Sequence, residues 1–326
     1  MNTIRFGIVG SAKIALQQII PALQACDLAS VSAIASRDVS KAREAASKLD
    51  IPVFYGSYND LLKDQNIDAV YIPLPNHLHV PWAIKSLEAG KHVLCEKPVA
   101  MSATETKKLI EAANKHPELK IMEAFMYRHH PRWKKLKSLV DSGAIGKLQT
   151  IHSFFTYYKD DFQNIRFEAE MGGGGLMDVG CYCISLSRWL FGKKPNTVKS
   201  VVKNHPVKDV DVLTSGLMDF GSGISTFTCS MHCSNRQHVE VLGTKGRINM
   251  EMPFNPPVDQ PTFLNLYTDG KPAERIQFDP CNQFTLQGDF FAGKILNDEP
   301  IPESLSLNDS LENMQVIEKL RTPNLT

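Results

Sequence analysis

The sequence contains no apolar run long enough to cross a bilayer, and no basic stretch leading into an apolar core at its start. Neither a membrane span nor a secretory leader is therefore expected. An excess of one charge is missing as well. Lys and Arg number 36 against 35 Asp and Glu, a formal net charge of +1, which gives no reason to expect nucleic acid or an anionic membrane as partner. Cysteine is sparse and unpaired in pattern: Cys26, Cys95, Cys181, Cys183, Cys229, Cys233 and Cys281, seven in all. Neither that count nor its spacing makes a disulfide framework, and a reducing, cytoplasmic setting is expected. Cys181-x-Cys183 and Cys229-x3-Cys233 come without a Cys-x2-Cys pair or a matched set of histidines, so no metal site is expected. Internal repeats and low-complexity segments are absent too.

What is present is the composition of a soluble globular chain, 43% apolar and 22% charged over 326 residues, a length that suits two domains rather than one core. Ile4 to Val9 reads as a short strand. Gly10-Ser11-Ala12-Lys13-Ile14 follows, and then a helical pattern through Ile19, Ile20, Leu23 and Cys26. Strand, tight turn and helix start make a dinucleotide-binding opening, with the helix N-terminus available to a pyrophosphate. Ala12 and Ala15 stand where further glycines belong, and the Ala12 methyl falls beside the phosphates. A second strand, Val31 to Ala35, ends in Ser36-Arg37-Asp38, with Lys41 one helical turn on. An acidic residue at such a strand end holds the ribose hydroxyl of NAD. A hydroxyl and two cations suit a 2′-phosphate instead, which favours NADP, while Asp38 keeps NAD as the alternative.

Strands and helices go on alternating through Ala69–Ile72 and the loop Pro73-Leu74-Pro75-Asn76-His77-Leu78-His79 to the run Val93-Leu94-Cys95-Glu96-Lys97-Pro98-Val99. Such alternation predicts a doubly wound parallel sheet, an α/β domain over 1–122. In an open parallel sheet, ligands sit outside the carboxyl ends of the strands. Lys97 should face whatever the sheet binds.

The pattern then changes. Leu148 to Tyr158 predicts a long strand, Gly172 to Gly175 open a helix running from Leu176 to Phe191, and Val210–Phe220 with Ile224–Cys233 predicts a hairpin. A second hairpin joins Val239–Leu242 to Arg247–Met250, so 123–326 reads as an α+β domain with a mainly antiparallel sheet. Asp178 and Tyr182, four residues apart on the helix, share one face. A phenol beside a carboxylate can donate a proton, but its reference pKa of ~10 is high for that work at neutral pH. Lys97 would lower it if the two domains close over one cleft.

Gly7 to Gly10, Pro75-Asn76 with His79, Glu96-Lys97-Pro98 and Gly-Gly-Gly-x-Leu-x-Asp-x-Gly at Gly173 to Gly180 occur in an order that resembles the Gfo/Idh/MocA oxidoreductases, typified by glucose-fructose oxidoreductase and inositol dehydrogenase. Within them, Glu123 to Pro131, Asn164-Ile165-Arg166 and Tyr182 are most similar to the branch of dimeric dihydrodiol dehydrogenases and NADP-linked D-xylose dehydrogenases. The resemblance implies a Rossmann domain followed by a domain with a large open sheet, dimerisation through that sheet, and hydride transfer between NADP and a sugar or cyclic diol. The sites it implies are Lys97, Tyr182 and Asp178 for catalysis, with Tyr158, Arg166, Asp178 and Tyr182 at the substrate. Expected at the cofactor are Gly10, Ala12, Lys13, Ile14, Ser36, Arg37, Lys41, Pro73, Leu74, Asn76, His79, Glu96, Lys97 and Arg128. Keto-sugar or dicarbonyl reduction and non-catalytic NADP sensing are the alternatives.

Overall fold

A computed structural model describes residues 3–322, which divide into two compact units. In the first, β1 (Ile4–Val9), β2 (Ala29–Ala35), β3 (Val53–Tyr55), β4 (Ala69–Ile72), β5 (His92–Cys95) and β6 (Ile121–Glu123) form one parallel sheet. Its order is β3-β2-β1-β4-β5-β6. The connecting helices are α1 (Ile20–Gln24, entered through a π-helical turn at Ala15–Ile19), α2 (Val39–Lys48), α3 (Tyr58–Lys63), α4 (His79–Glu88) and α5 (Ala103–Ala113). A sheet covered on both faces needs strands without polar alternation. All four residues of β4 are accordingly buried, Tyr71 in the core of one face and Val70 and Ile72 in that of the other. Helix starts are set by short polar side chains: Asp38, Ser57 and Ser102 accept backbone N–H groups at the beginnings of α2, α3 and α5. The chain leaves β1 and β4, neighbours in the sheet, toward opposite sides, and that switch point is where such sheets bind ligands.

The second unit is built on β7 (Leu148–Tyr158), β8 (Thr197–Asn204), β9 (Asp211–Asp219), β10 (Ile224–Ser230), β11 (His232–Gly243), β12 (Gly246–Glu251), β13 (Thr262–Thr268) and β14 (Glu274–Phe278). They form one sheet of order β14-β13-β12-β11-β7-β10-β9-β8, antiparallel throughout except where β10 runs beside β7. Helix α6 (Pro131–Asp141) and helix α7 (Cys181–Phe191, entered through a π-helical turn at Leu176–Gly180) belong to this unit. Alternation along β7 puts Ile151, Ser153 and Phe155 inside, Phe155 against Tyr182 of α7. The opposite face leaves Phe154, Val201 and Leu217 exposed.

Two expectations need correction. The strand expected over Ile224–Cys233 breaks at Met231, whose N–H still donates to Val212 O at 2.9 Å while its carbonyl accepts Lys159 N at 2.8 Å, just past the end of β7. The chain crosses there from β9 to the far side of β7, where β11 starts afresh, and the Ser230 hydroxyl braces the crossing by accepting the His232 N–H at 2.9 Å and donating to Val212 O at 2.7 Å. The division into 1–122 and 123–326 is contiguous, whereas the first unit takes in residues up to Met126 together with Asn282–Leu311. The reason is α8 (Gln283–Leu296), whose Phe291 packs on Phe6 and whose Gly288 faces Leu23 and Cys26. The last helix, α9 (Leu307–Arg321), begins in the first unit and ends in the second.

Candidate active site

The first unit gathers its candidate residues at the carboxyl ends of β1, β2, β4 and β5. Gly10 has φ +124°, and a Cβ there would stand 3.0 Å from Leu74 Cδ2, so only glycine brings the turn after β1 against the loop after β4. The helical turn follows at once, with Ala12 half-buried and Lys13 and Ile14 exposed in the position of its first N–H groups. Those groups have no partner within the helix and suit an anion. At the end of β2 Ser36 is buried, its hydroxyl accepting the Asp38 N–H at 3.3 Å. Asp38 itself caps α2, accepting from Ser40 N at 2.9 Å and Lys41 N at 3.4 Å. With that carboxylate engaged, the exposed Arg37 and Lys41 dominate the strand end. A 2′-phosphate fits such a set better than a bare ribose hydroxyl.

Beyond β4, Pro73 and Leu74 are buried and Asn76 is half-buried. His79 is not available to a ligand as the sequence suggested. It is fully buried, with Nε2 2.7 Å from Leu74 O and Nδ1 2.8 Å from Pro98 O, tying the two loops together. Burial pushes its pKa down to about 4, against the pull of the two carbonyls. After β5, Glu96 accepts the Tyr71 hydroxyl at 2.6 Å, and Glu123 accepts Val99 N at 2.9 Å and the Ser310 hydroxyl at 2.6 Å. Half-buried Lys97 lies between these two anchored points. Tyr71 and Glu123 were not singled out from sequence. Tyr71 reads as core in an apolar strand, and the placing of Glu123 depends on the β5–β6 register.

In the second unit the glycine run lets a helix start against a buried acid. A Cβ on Gly173 would stand 2.4 Å from Arg166 O, and one on Gly174, whose φ is +108°, 2.3 Å from Asp211 Oδ1. Asp211 Oδ2 accepts Leu176 N at 2.7 Å and the Thr214 hydroxyl at 3.0 Å. Burial raises the Asp211 pKa, and these hydrogen bonds oppose the rise. One turn later Asp178 Oδ2 accepts the Tyr157 hydroxyl at 2.5 Å and Arg166 Nε at 2.8 Å. Burial first and the Asp178 charge second push the Tyr157 pKa far up, so Tyr157 remains a donor, while the same carboxylate raises Arg166. Tyr182 is buried among Tyr127, Phe155 and Phe254.

Two further expected residues lie outside these clusters. Tyr158, expected at the substrate, points away from Asp178 and is 66% exposed; its neighbour Tyr157 makes the contact, because successive strand residues face opposite ways. Arg128, expected at the cofactor, is buried in the second unit, donating to the Tyr127 hydroxyl at 2.9 Å and to Ser185 Oγ at 2.8 Å and lying 4.6 Å over the Trp189 ring. Among the described residues no group of three or more His, Cys, Asp and Glu side chains could hold a metal ion.

Residues 4–125 match the model of the Gfo/Idh/MocA oxidoreductase family, NAD-binding Rossmann fold, and residues 133–249 match the Gfo/Idh/MocA C-terminal domain. D-xylose 1-dehydrogenase (NADP+) 2 of Haloferax volcanii is 37% identical over 88% of this chain and 87% of its own. Trans-1,2-dihydrobenzene-1,2-diol dehydrogenase of Mus musculus is 33% identical over 78% and 76%. A solved structure of a 3-ketoreductase from Actinomadura kijaniata with NADP and TDP-benzene superposes with a TM-score of 0.91 at 31% identity, covering 98% of this chain and 97% of that one.

Proposed function

Because the chain belongs to the Gfo/Idh/MocA oxidoreductase family, we propose that it is an NADP-preferring enzyme that interconverts a hydroxyl and a carbonyl on a sugar or cyclic polyol. The observation that carries this reading is Lys97, an amine held at the carboxyl end of β5 by the anchored Glu96 before it and Val99 after it. NADP, when bound, supplies the hydride chemistry at its nicotinamide. The first helical turn at Gly10, Ala12, Lys13 and Ile14 takes the pyrophosphate. Ser36, Arg37 and Lys41 take the 2′-phosphate, and Pro73, Leu74, Asn76 and Glu96 line the loops after β4 and β5. Lys97 polarises the substrate oxygen, and Tyr182 exchanges the proton with it. Asp178, fixed by Tyr157 and Arg166, accepts a substrate hydroxyl. A charge-paired carboxylate of that kind favours neutral polyols over sugar acids.

Fluorescence titration with NADPH and NADH, followed by turnover on a panel of aldoses, cyclic diols and keto-sugars, tests the reading. NADPH should bind at least tenfold tighter than NADH, and Arg37→Ala with Lys41→Ala should erase the difference. Binding without turnover on any panel member would instead favour a sensor. The likeness to the 3-ketoreductase supports a second reading, in which the physiological direction is keto-sugar reduction; initial rates measured both ways separate the two. The exposed sheet face around Phe154, Val201 and Leu217 is assigned to a second copy of the chain, so sedimentation should give twice the monomer mass. A cytoplasmic location completes the proposal.

A further inference from the structure

Large apolar side chains that stay exposed concentrate in one stretch of the second unit: Tyr158, Phe162 at 47%, Ile165 and Met171. An exposed patch of this kind on a soluble protein marks a binding surface. Five rings there touch in series. Phe162 lies 5.2 Å from Phe167 and 5.1 Å from His205, these two lie 5.9 and 5.6 Å from His232, and His232 lies 5.9 Å from Tyr158, all between ring centroids. Phe167 is buried on Val210, Val212 and Met231 and gives the row a floor.

Both histidines offer ring faces to the row. His205 Nδ1 accepts the N–H groups of Val207 and Lys208 at 3.2 and 3.0 Å, which fixes its tautomer. Burial lowers the pKa of His232, and its Nε2 is enclosed with no hydrogen-bond partner. An imidazole kept under that penalty contributes its face rather than its polarity. Charges at the rim are largely paired, Lys159 with Asp161 and Lys208 with Glu168. The row therefore suits a neutral ligand.

Packing joins the row to the candidate site, because Tyr157 lies against the cluster of Phe167, Val210, Val212 and Met231. Tyr158 follows Tyr157, and Phe167 follows Arg166; Tyr157 and Arg166 are the two residues that hold Asp178. Adjacent Cα atoms stand about 3.8 Å apart. Phe167 thus brings the row against Tyr157, while Tyr158 closes it from the other face of β7.

We propose that this row is a subsite for a flat, neutral ring that the substrate carries beside its reacting carbon, the C–H face of a second sugar ring or an aromatic substituent. The inference rests on the sugar-oxidoreductase reading and extends it to substrates larger than a monosaccharide. Three substrates test it: a sugar turned over by the enzyme, the same sugar bearing a second sugar ring at a non-reacting hydroxyl, and the same sugar bearing a phenyl ether there. One or both ring-bearing substrates should show kcat/KM about tenfold above the bare sugar, the scale of one aromatic contact. The substituent that gains identifies the source of the ring. Phe162→Ala should bring that ratio close to one, and Phe162→Trp should keep it. Equal kcat/KM for all three substrates in the wild type, or a loss of equal size on all three in Phe162→Ala, would overturn the subsite. Should no sugar be turned over, the reaction assignment fails separately. Calorimetric titration of the NADPH-loaded protein with the phenyl ether then decides: tight binding lost in Phe162→Ala supports the subsite, and no binding or undiminished binding refutes it.

Discussion

Lys97 and Asp178 illustrate two ways in which a fold presents a charged group. The backbone on either side of Lys97 is anchored, by Glu96 on Tyr71 and by the Val99 N–H on Glu123. Lys97→Met should therefore cut kcat by about 10²- to 10⁴-fold while the melting midpoint stays within about 2 °C, measured by steady-state kinetics and a thermal melt on one preparation. Asp178 is held through the carboxylate itself. Tyr157→Phe keeps the ring and removes one charge-assisted hydrogen bond, worth ~1.5–3 kcal/mol, and kcat/KM should fall about ten- to a hundredfold with no new limb in the pH profile between 6 and 9. Sequence pointed to Lys97 and Asp178 because charged groups in an apolar or glycine-rich setting stand out, and to Arg166 only through the resemblance of Asn164-Ile165-Arg166. It named Tyr158 where Tyr157 makes the contact, since two adjacent tyrosines on a strand are equivalent until the buried face is known.

At the level of elements, the glycines before α7 do unequal work. Gly174 combines φ +108° with an acid 2.3 Å from any added Cβ, whereas Gly192, which ends α7 at φ +66°, has nothing within 4 Å. Gly174→Ala should destabilise by about 1–3 kcal/mol or more and lower kcat, because the helix that bears Asp178 and Tyr182 loses its seat on Asp211. Gly192→Ala should cost only the backbone strain, about 1 kcal/mol, and leave kcat alone; thermal melts and kinetics of the two variants separate the effects. Most strands and helices were legible from apolar runs and caps. The break at Met231 was not, because a residue whose N–H pairs with one strand and whose carbonyl pairs with another looks in sequence like any other apolar residue in a strand.

For the molecule as a whole, acid sensitivity follows from three buried histidines. Burial pushes His129 and His130 down to about 3, and His79 to about 4, from a usual 6.5. A depressed histidine contributes its full stability above the unfolded pKa, and that contribution is lost as pH falls toward the folded value, because the unfolded chain binds the proton first. Between pH 6 and 4 stability should fall by about 1.4 kcal/mol per pH unit for each histidine, a slope that urea denaturation at stepped pH will show and that His129→Phe should reduce by one proton. The order of motifs along the chain made both folds legible, but not which residues complete each unit. An amphipathic helix such as α8 shows that it has an apolar side and not which surface it covers. That return of residues 282–311 to the first unit has a consequence during synthesis. The ribosome delivers β1 to β6 early, yet the surface of Phe6, Leu23 and Cys26 waits for its cover until the whole of the second unit has emerged. The first unit to be made is then the last to be finished, and a chain stalled near residue 280 would leave that surface open to chaperones and proteases.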